Sequence, residues 1–130
     1  MIYGIGTDIV RIQRIDKNLQ RYGDRFASRI LSDDEFKGFQ ASARKAHFLA
    51  KRFAAKEAAA KALGTGFRDG LNLKDISVIH DELGKPILEF SPKGREHLRT
   101  RGISGTHLSI SDEQDYAVAF VTLEASLENQ

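Results

Sequence analysis

From about Ala43 to Leu63 the chain is so rich in Ala, Lys, Leu and Glu, and so abruptly stopped by Gly64, that a long helix is the element it predicts. Every other segment has to be arranged around that helix. Small residues along it, Ala54, Ala58 and Ala60 among them, let a second backbone or a ligand approach closely. The whole sequence is 130 residues, the length of one domain. Surface scaling gives a chain of this size burial of roughly two-thirds of its unfolded surface, so no staples are required. None are available: there are no cysteines, which excludes disulfides, thiolate metal sites and a thiolate nucleophile, and makes a reducing cytoplasm the expected compartment. Apolar runs are short, and Met1 opens directly into Ile2-Tyr3-Gly4-Ile5, so neither a secretory leader nor a membrane span is expected.

Periodicity supplies the remaining elements. Met1 to Val10 reads as a strand, with Ile2, Gly4, Gly6, Asp8 and Val10 on one face and Tyr3, Ile5, Thr7 and Ile9 on the other. Ile12, Ile15, Leu19 and Tyr22, followed by Phe26, recur at spacings of three and four and predict an amphipathic helix ending near Gly23. Ser32-Asp33-Asp34-Glu35 has the form of a capping box opening a short helix. Beyond the long helix, Ile76 to His80 and Pro86 to Phe90 alternate as a hairpin around Gly84. Ser91-Pro92 then opens a helix closed by Gly102, and Thr106 to Ser111 and Tyr116 to Leu123 form a second hairpin. The predicted order is β-α-α-α-β-β-α-β-β. It describes one α+β domain over 1–130, with antiparallel hairpin strands packed on one long central helix and shorter ones.

Three groups of residues carry chemistry. Asp8 stands in an apolar strand, where a buried carboxylate needs a cation or several donors. It either caps the following helix or binds a metal. Gly4-Ile5-Gly6-Thr7-Asp8-Ile9 holds only two glycines of a dinucleotide fingerprint, which excludes that reading. Glu57 and Lys61, four apart on the long helix, are either a solvated ion pair or, with Arg52 nearby, part of a metal and phosphate site. In the second case Asp8 and Glu57 are its two carboxylates, since Mg²⁺ takes one or two carboxylates together with phosphate oxygens and water. His107, Ser109 and Ser111 share one strand face, either a plain solvated face or a set of donors for a nucleotide. Arg11, Arg14, Lys17, Arg21 and Arg25 form a stripe interrupted only by Asp16 and Asp24, although the net charge is just +2. Such a stripe is a wet helix face or a docking surface for an acidic partner or nucleic acid.

Three words of the sequence together resemble the holo-acyl-carrier-protein synthases, the small bacterial 4′-phosphopantetheinyl transferases. They are Gly4-Ile5-Gly6-Thr7-Asp8-Ile9-Val10, the run from Arg52-Phe53-Ala54-Ala55-Lys56-Glu57-Ala58 to Lys61-Ala62-Leu63-Gly64-Thr65-Gly66, and His107-Leu108-Ser109-Ile110-Ser111. Gly84-Lys85-Pro86 and Leu31-Ser32 fit as well, whereas Arg11 and Asp112 depart from what many members carry. The resemblance implies Mg²⁺-dependent transfer of the 4′-phosphopantetheine arm of coenzyme A to a serine of acyl carrier protein, within fatty acid and lipid biosynthesis.

Asp8 and Glu57 are then the metal ligands, Glu57 also takes the serine proton, and Lys61 neutralises the diphosphate. Arg52 and His107 are expected at the 3′-phosphate, Gly84, Lys85 and Pro86 at the adenine, and Gly64, Ser109 and Ser111 near the nucleotide. Arg14, Lys17, Arg21 and Arg25 would receive the acidic carrier on a face turned away from the cofactor. The resemblance further implies a homotrimer with active sites between subunits. The alternative, a basic nucleic-acid-binding α+β module, lacks interleaved aromatics and leaves Asp8 and Glu57 without a role. No membrane partner is expected.

Overall fold

The computed structural model of the chain describes residues 1–126. Strand β1 (Ile2–Arg11) is followed by helices α1 (Ile12–Tyr22), α2 (Asp24–Ile30), α3 (Asp33–Ala41) and the long α4 (Lys45–Leu63). After a 3₁₀ turn at Leu73–Asp75 come β2 (Ile76–His80), β3 (Pro86–Phe90), α5 (Pro92–Thr100), β4 (Ile103–Asp112) and β5 (Tyr116–Ala125). All pairing is antiparallel: β1-β5-β4 form one sheet, with Asp8 opposite Ala119 and Ile110 also opposite Ala119, and β2-β3 form a separate hairpin. The α+β class follows as the sequence predicts.

Helix α4 is the hub. Leu49, Ala50, Ala54, Ala55, Ala58 and Ala59 are all fully buried, so the helix is covered on nearly every side and needs no amphipathic stripe. One side lies directly on β1. A Cβ at Gly4 would stand 2.1 Å from the carbonyl oxygen of Ala62, and one at Gly6 2.0 Å from that of Ala58. Only glycine permits a strand and a helix to touch backbone to backbone in this way. The Gly4-x-Gly6 spacing is thus a packing device rather than a nucleotide loop. Next to it, Ala117, Ala119, Val121 and Leu123 of β5 turn inward and are wholly buried, and Tyr116, Val118, Phe120 and Thr122 face out.

Helix α1 ends at Gly23 as expected, where the backbone adopts φ +63. Two features differ from the expected ones. The chain restarts at once as α2, a helix absent from the predicted order, whose Ala27 and Ile30 are buried. The separate helix has its own signal in Asp24, an acid placed in the first turn just beyond the glycine. Strands β4 and β5 also extend further than Thr106 and Leu123, to Ile103 and Ala125, where the register shifts near Gly105. The capping box forms as predicted, with the Glu35 amide donating to Ser32 Oγ and the Ser32 amide donating to Glu35 Oε1.

Candidate active site

Strand β1 and helix α4 bring their polar residues to one place because they touch so closely. Asp8 lies two residues beyond Gly6 on the helix-facing side of β1, and Lys61 is one turn beyond Glu57. Lys61 Nζ donates to Asp8 Oδ1 and to the Thr7 carbonyl, each at 3.0 Å. Glu57 and Asp8 line a single cavity of about 580 Å³ that runs between α1, α2 and α4, with Ile15, Phe26 and Phe53 on its apolar wall. Burial pushes the Glu57 carboxyl above its ordinary range, the Asp8 charge pushes it further, and Lys61 partly opposes both. Two neighbouring carboxylates with a lysine beside them suit a hard divalent cation whose remaining ligands are phosphate oxygens and water. Among the described residues no cluster of three or more His, Cys, Asp or Glu could hold a metal without such outside ligands. A larger groove of about 790 Å³ opens on the other flank of α1, lined by Asp16, Gln20, Arg44 and His47, and holds neither carboxylate.

Arg52 sits one turn before Lys56 on another side of α4. Its Cζ lies 4.0 Å from the centroid of Phe48, and its Nε is 3.9 Å from Glu35 Oε2. That Nε is buried without a hydrogen-bond partner. His80, at the end of β2, feels the Arg52 and Lys51 charges. With burial as the larger cause, they hold its imidazole below the ordinary range. The β2–β3 hairpin therefore ends beside Arg52. Its loop is ordered by Asp81, whose Oδ1 accepts from the Leu83 and Lys85 amides at 2.9 Å each, and this leaves Gly84 and Lys85 exposed. Gly64 caps α4 in the left-handed conformation.

His107, Ser109 and Ser111 do not join this group within one chain. They point to the outer face of the sheet, opposite the side that carries Asp8. There His107 Nε2 lies 2.5 Å from Glu124 Oε1. The basic stripe is also less uniform than its spacing implies. Arg14, Lys17, Arg21 and Arg25 are all exposed, but Arg25 belongs to α2 and Arg11 is the last residue of β1. Arg14 lines the same cavity as Asp8 and Glu57, so it does not face away from the cofactor end.

Lys56 and Glu35, neither of them a candidate site residue, prove central to the packing around α4. Lys56 is wholly buried, and its Nζ donates to Glu35 Oε1, to the Ile30 carbonyl and to the Leu73 carbonyl at 2.6, 2.6 and 3.1 Å. Glu35 Oε2 accepts from the Val78 amide at 2.9 Å. One ionic node thus ties α2, α3, α4 and β2 together. Lysine inside an otherwise apolar alanine face was its only available sign.

Known proteins match this chain along nearly its whole length. Residues 4–121 match the family model of the 4′-phosphopantetheinyl transferase superfamily. The holo-[acyl-carrier-protein] synthase of Nitrosococcus oceani is 57% identical over 128 residues, covering 98% of this chain and 83% of its own. Among solved structures, the holo-[acyl-carrier-protein] synthase of Neisseria meningitidis superimposes with a TM-score of 0.92 at 48% identity, covering 95% of this chain and 99% of that one. The Bacillus anthracis enzyme, solved in complex with CoA (3′,5′-ADP), gives 0.80 at 42% identity, over 97% of this chain and 99% of that one. The chain belongs to the 4′-phosphopantetheinyl transferase superfamily.

Proposed function

We propose that the protein is a holo-acyl-carrier-protein synthase, moving 4′-phosphopantetheine from coenzyme A to a serine of apo-acyl carrier protein and releasing adenosine 3′,5′-bisphosphate. The observation that carries this reading is the convergence of Asp8 and Glu57 on one cavity that Arg14 also lines, with Lys61 held on Asp8. The carrier serine Oγ attacks the phosphorus that bears pantetheine, the bond to the bridging oxygen breaks, and the nucleotide leaves with that oxygen. Such a transfer asks for positioning and charge neutralisation more than for covalent chemistry. Mg²⁺, held by Asp8 and Glu57, would neutralise the diphosphate and draw charge from the leaving oxygen. Glu57 takes the serine proton directly or through a water. Lys61 balances charge on the diphosphate. Arg52 takes the 3′-phosphate, and the nearby hairpin loop with Gly84, Lys85 and Pro86 frames the nucleotide.

The same proposal includes assembly into a homotrimer acting in the cytoplasm. The outer sheet face leaves Ile5, Ile9 and Phe120 exposed by 58%, 64% and 46%, together with Tyr3 and Tyr116. A contiguous apolar face of this kind is covered in most soluble proteins by another molecule. His107 and Ser109 lie on that face, so assembly would present them to a neighbouring copy's nucleotide rather than to their own. The test is direct: the protein is incubated with coenzyme A, Mg²⁺ and apo-acyl carrier protein, and the carrier is weighed by mass spectrometry. Gain of one phosphopantetheine, lost in Asp8→Asn and Glu57→Gln, is the expected result, and an unchanged carrier mass with a well-folded protein refutes the reading. Light scattering of the same sample reads the trimer.

A further inference from the structure

The ammonium of Lys61 occupies the carboxylate that the proposed metal needs. Its Nζ lies 3.0 Å from Asp8 Oδ1 and 3.0 Å from the Thr7 carbonyl, so two good acceptors hold it. The Lys61 side chain is 55% exposed whereas that of Asp8 is only 16% exposed. A flexible, well-hydrated stem is thus reaching in over a sheltered anion, a geometry that is easily reversed. Glu57, one turn earlier on α4, adds a second anion that the same lysine charge partly offsets.

We propose that Lys61 is a built-in counter-ion, parked on Asp8 until the diphosphate of the cofactor draws it away, so that metal and cofactor enter the site together. The inference rests on the functional reading above and adds to it a rule for loading the site. Without diphosphate, a divalent cation must displace the ammonium from Asp8 and then remain beside its positive charge, and binding is weak. With diphosphate present, the ammonium moves to phosphate oxygens, Asp8 becomes free, and the same charge that opposed the metal now helps to hold its anionic partner. Linkage makes the effect reciprocal: the metal strengthens cofactor binding by the factor by which the cofactor strengthens metal binding. The arrangement keeps the enzyme from holding a stray cation in a cofactor-free site. It also offsets part of the repulsion between the two carboxylates.

Mn²⁺ serves as the probe, since the paramagnetic signal of the free ion reports its binding without any turnover. The full chain is titrated at fixed ionic strength and about pH 8, where ordinary carboxylates are ionised, first alone and then with saturating coenzyme A and no carrier. Lys61→Met keeps the length of the side chain and removes its charge, at a position exposed enough to leave folding intact. Without coenzyme A, this variant is expected to bind Mn²⁺ roughly fivefold or more tightly than the unmodified protein, in the range of ordinary coupling between sites. Coenzyme A should tighten Mn²⁺ binding by a clearly larger factor in the unmodified protein than in Lys61→Met. Equal or weaker Mn²⁺ binding by the variant alone, or equal enhancement by coenzyme A in both, overturns the counter-ion proposal. Asp8→Asn separates that failure from a deeper one: if it binds Mn²⁺ as well as the unmodified protein, the metal assignment itself is wrong.

Discussion

Glu35 and Lys56 are joined by a 2.6 Å hydrogen bond between Oε1 and Nζ in the interior, where side-chain exposure is 2% and 0%. Burial pulls the Lys56 ammonium below its usual range, and Glu35 opposes that pull. Two carbonyls and the Val78 amide complete the node, so each charge is fully partnered. Removing one partner leaves the other charged and dry. Lys56→Met should therefore lower stability by about 3–5 kcal/mol, read by urea unfolding, and a Lys56→Met, Glu35→Leu double variant should recover part of the loss. If the single variant unfolded at the same urea concentration as the unmodified protein, the node would have no structural weight.

Gly6→Ala tests the backbone contact of β1 with α4. The new Cβ would fall 2.0 Å from the Ala58 carbonyl oxygen, an overlap that neither element relieves by rotating a side chain. The expected cost is about 3 kcal/mol, at the upper end of overpacking, together with a loss of Mn²⁺ binding, because Asp8 must move with the strand. The corresponding change at Gly23, where nothing lies within 4 Å, meets only its positive φ and should be milder.

The raised Glu57 carboxyl predicts a sign for pH. A carboxyl whose folded value exceeds its unfolded one makes the native state hold the extra proton, so stability falls as pH rises from the ordinary Glu range through the raised folded value. Metal-free Glu57→Gln removes that penalty. Its melting temperature should exceed that of the unmodified protein at neutral pH, with the gap closing as the solution is acidified below the ordinary Glu range. A gap that is absent, or that widens in acid, contradicts the shift.

For Arg52→Ala, affinity for coenzyme A should fall far more than affinity for 3′-dephospho-coenzyme A. The motivation is the place of Arg52 on α4, beside the hairpin strand that ends at His80. Equal losses for the two ligands by calorimetry would remove Arg52 from the 3′-phosphate site.

The basic face is best tested away from Arg14, which lines the cavity of Asp8 and Glu57. Lys17 and Arg21 are exposed residues of α1 that avoid this overlap. Reversing both to Glu should raise the Michaelis constant for acyl carrier protein and flatten its dependence on salt, since charge of this kind acts over about 8 Å at physiological ionic strength. Coenzyme A affinity should stay unchanged. Unaltered carrier kinetics would reduce the face to a solvated helix surface.

How much of this was legible beforehand depended on whether the information was local. The Ser32 to Glu35 capping box, the alternation of the hairpins and the stop at Gly64 are written within a few residues, and they form as read. The pairing of β1 with β5 joins residues more than a hundred positions apart, and periodicity carries no record of it. Glu35 looked complete as a helix cap, so its second task, holding Lys56 from α4, was visible only once the helices had packed. Helix α2 is missing from the predicted order because its seven residues are too few for a spacing of three and four to repeat. In the site, Asp8, Glu57 and Lys61 were recoverable as chemistry. The separation of His107 from them depends on which side of a sheet each strand presents.

The glycine contact between β1 and α4 also works as a gauge. In most enzymes the spacing of two acidic groups on different elements is set by the bulk of the side chains wedged between those elements, and each substitution there resets it. Here nothing stands between strand and helix at Gly4 and Gly6 except their own main chains. The spacing of Asp8 from Glu57 is therefore calibrated by peptide dimensions, which do not vary from one residue to the next. Substitutions elsewhere in the interior can alter how firmly the molecule holds together while the jaws of the site keep the same setting.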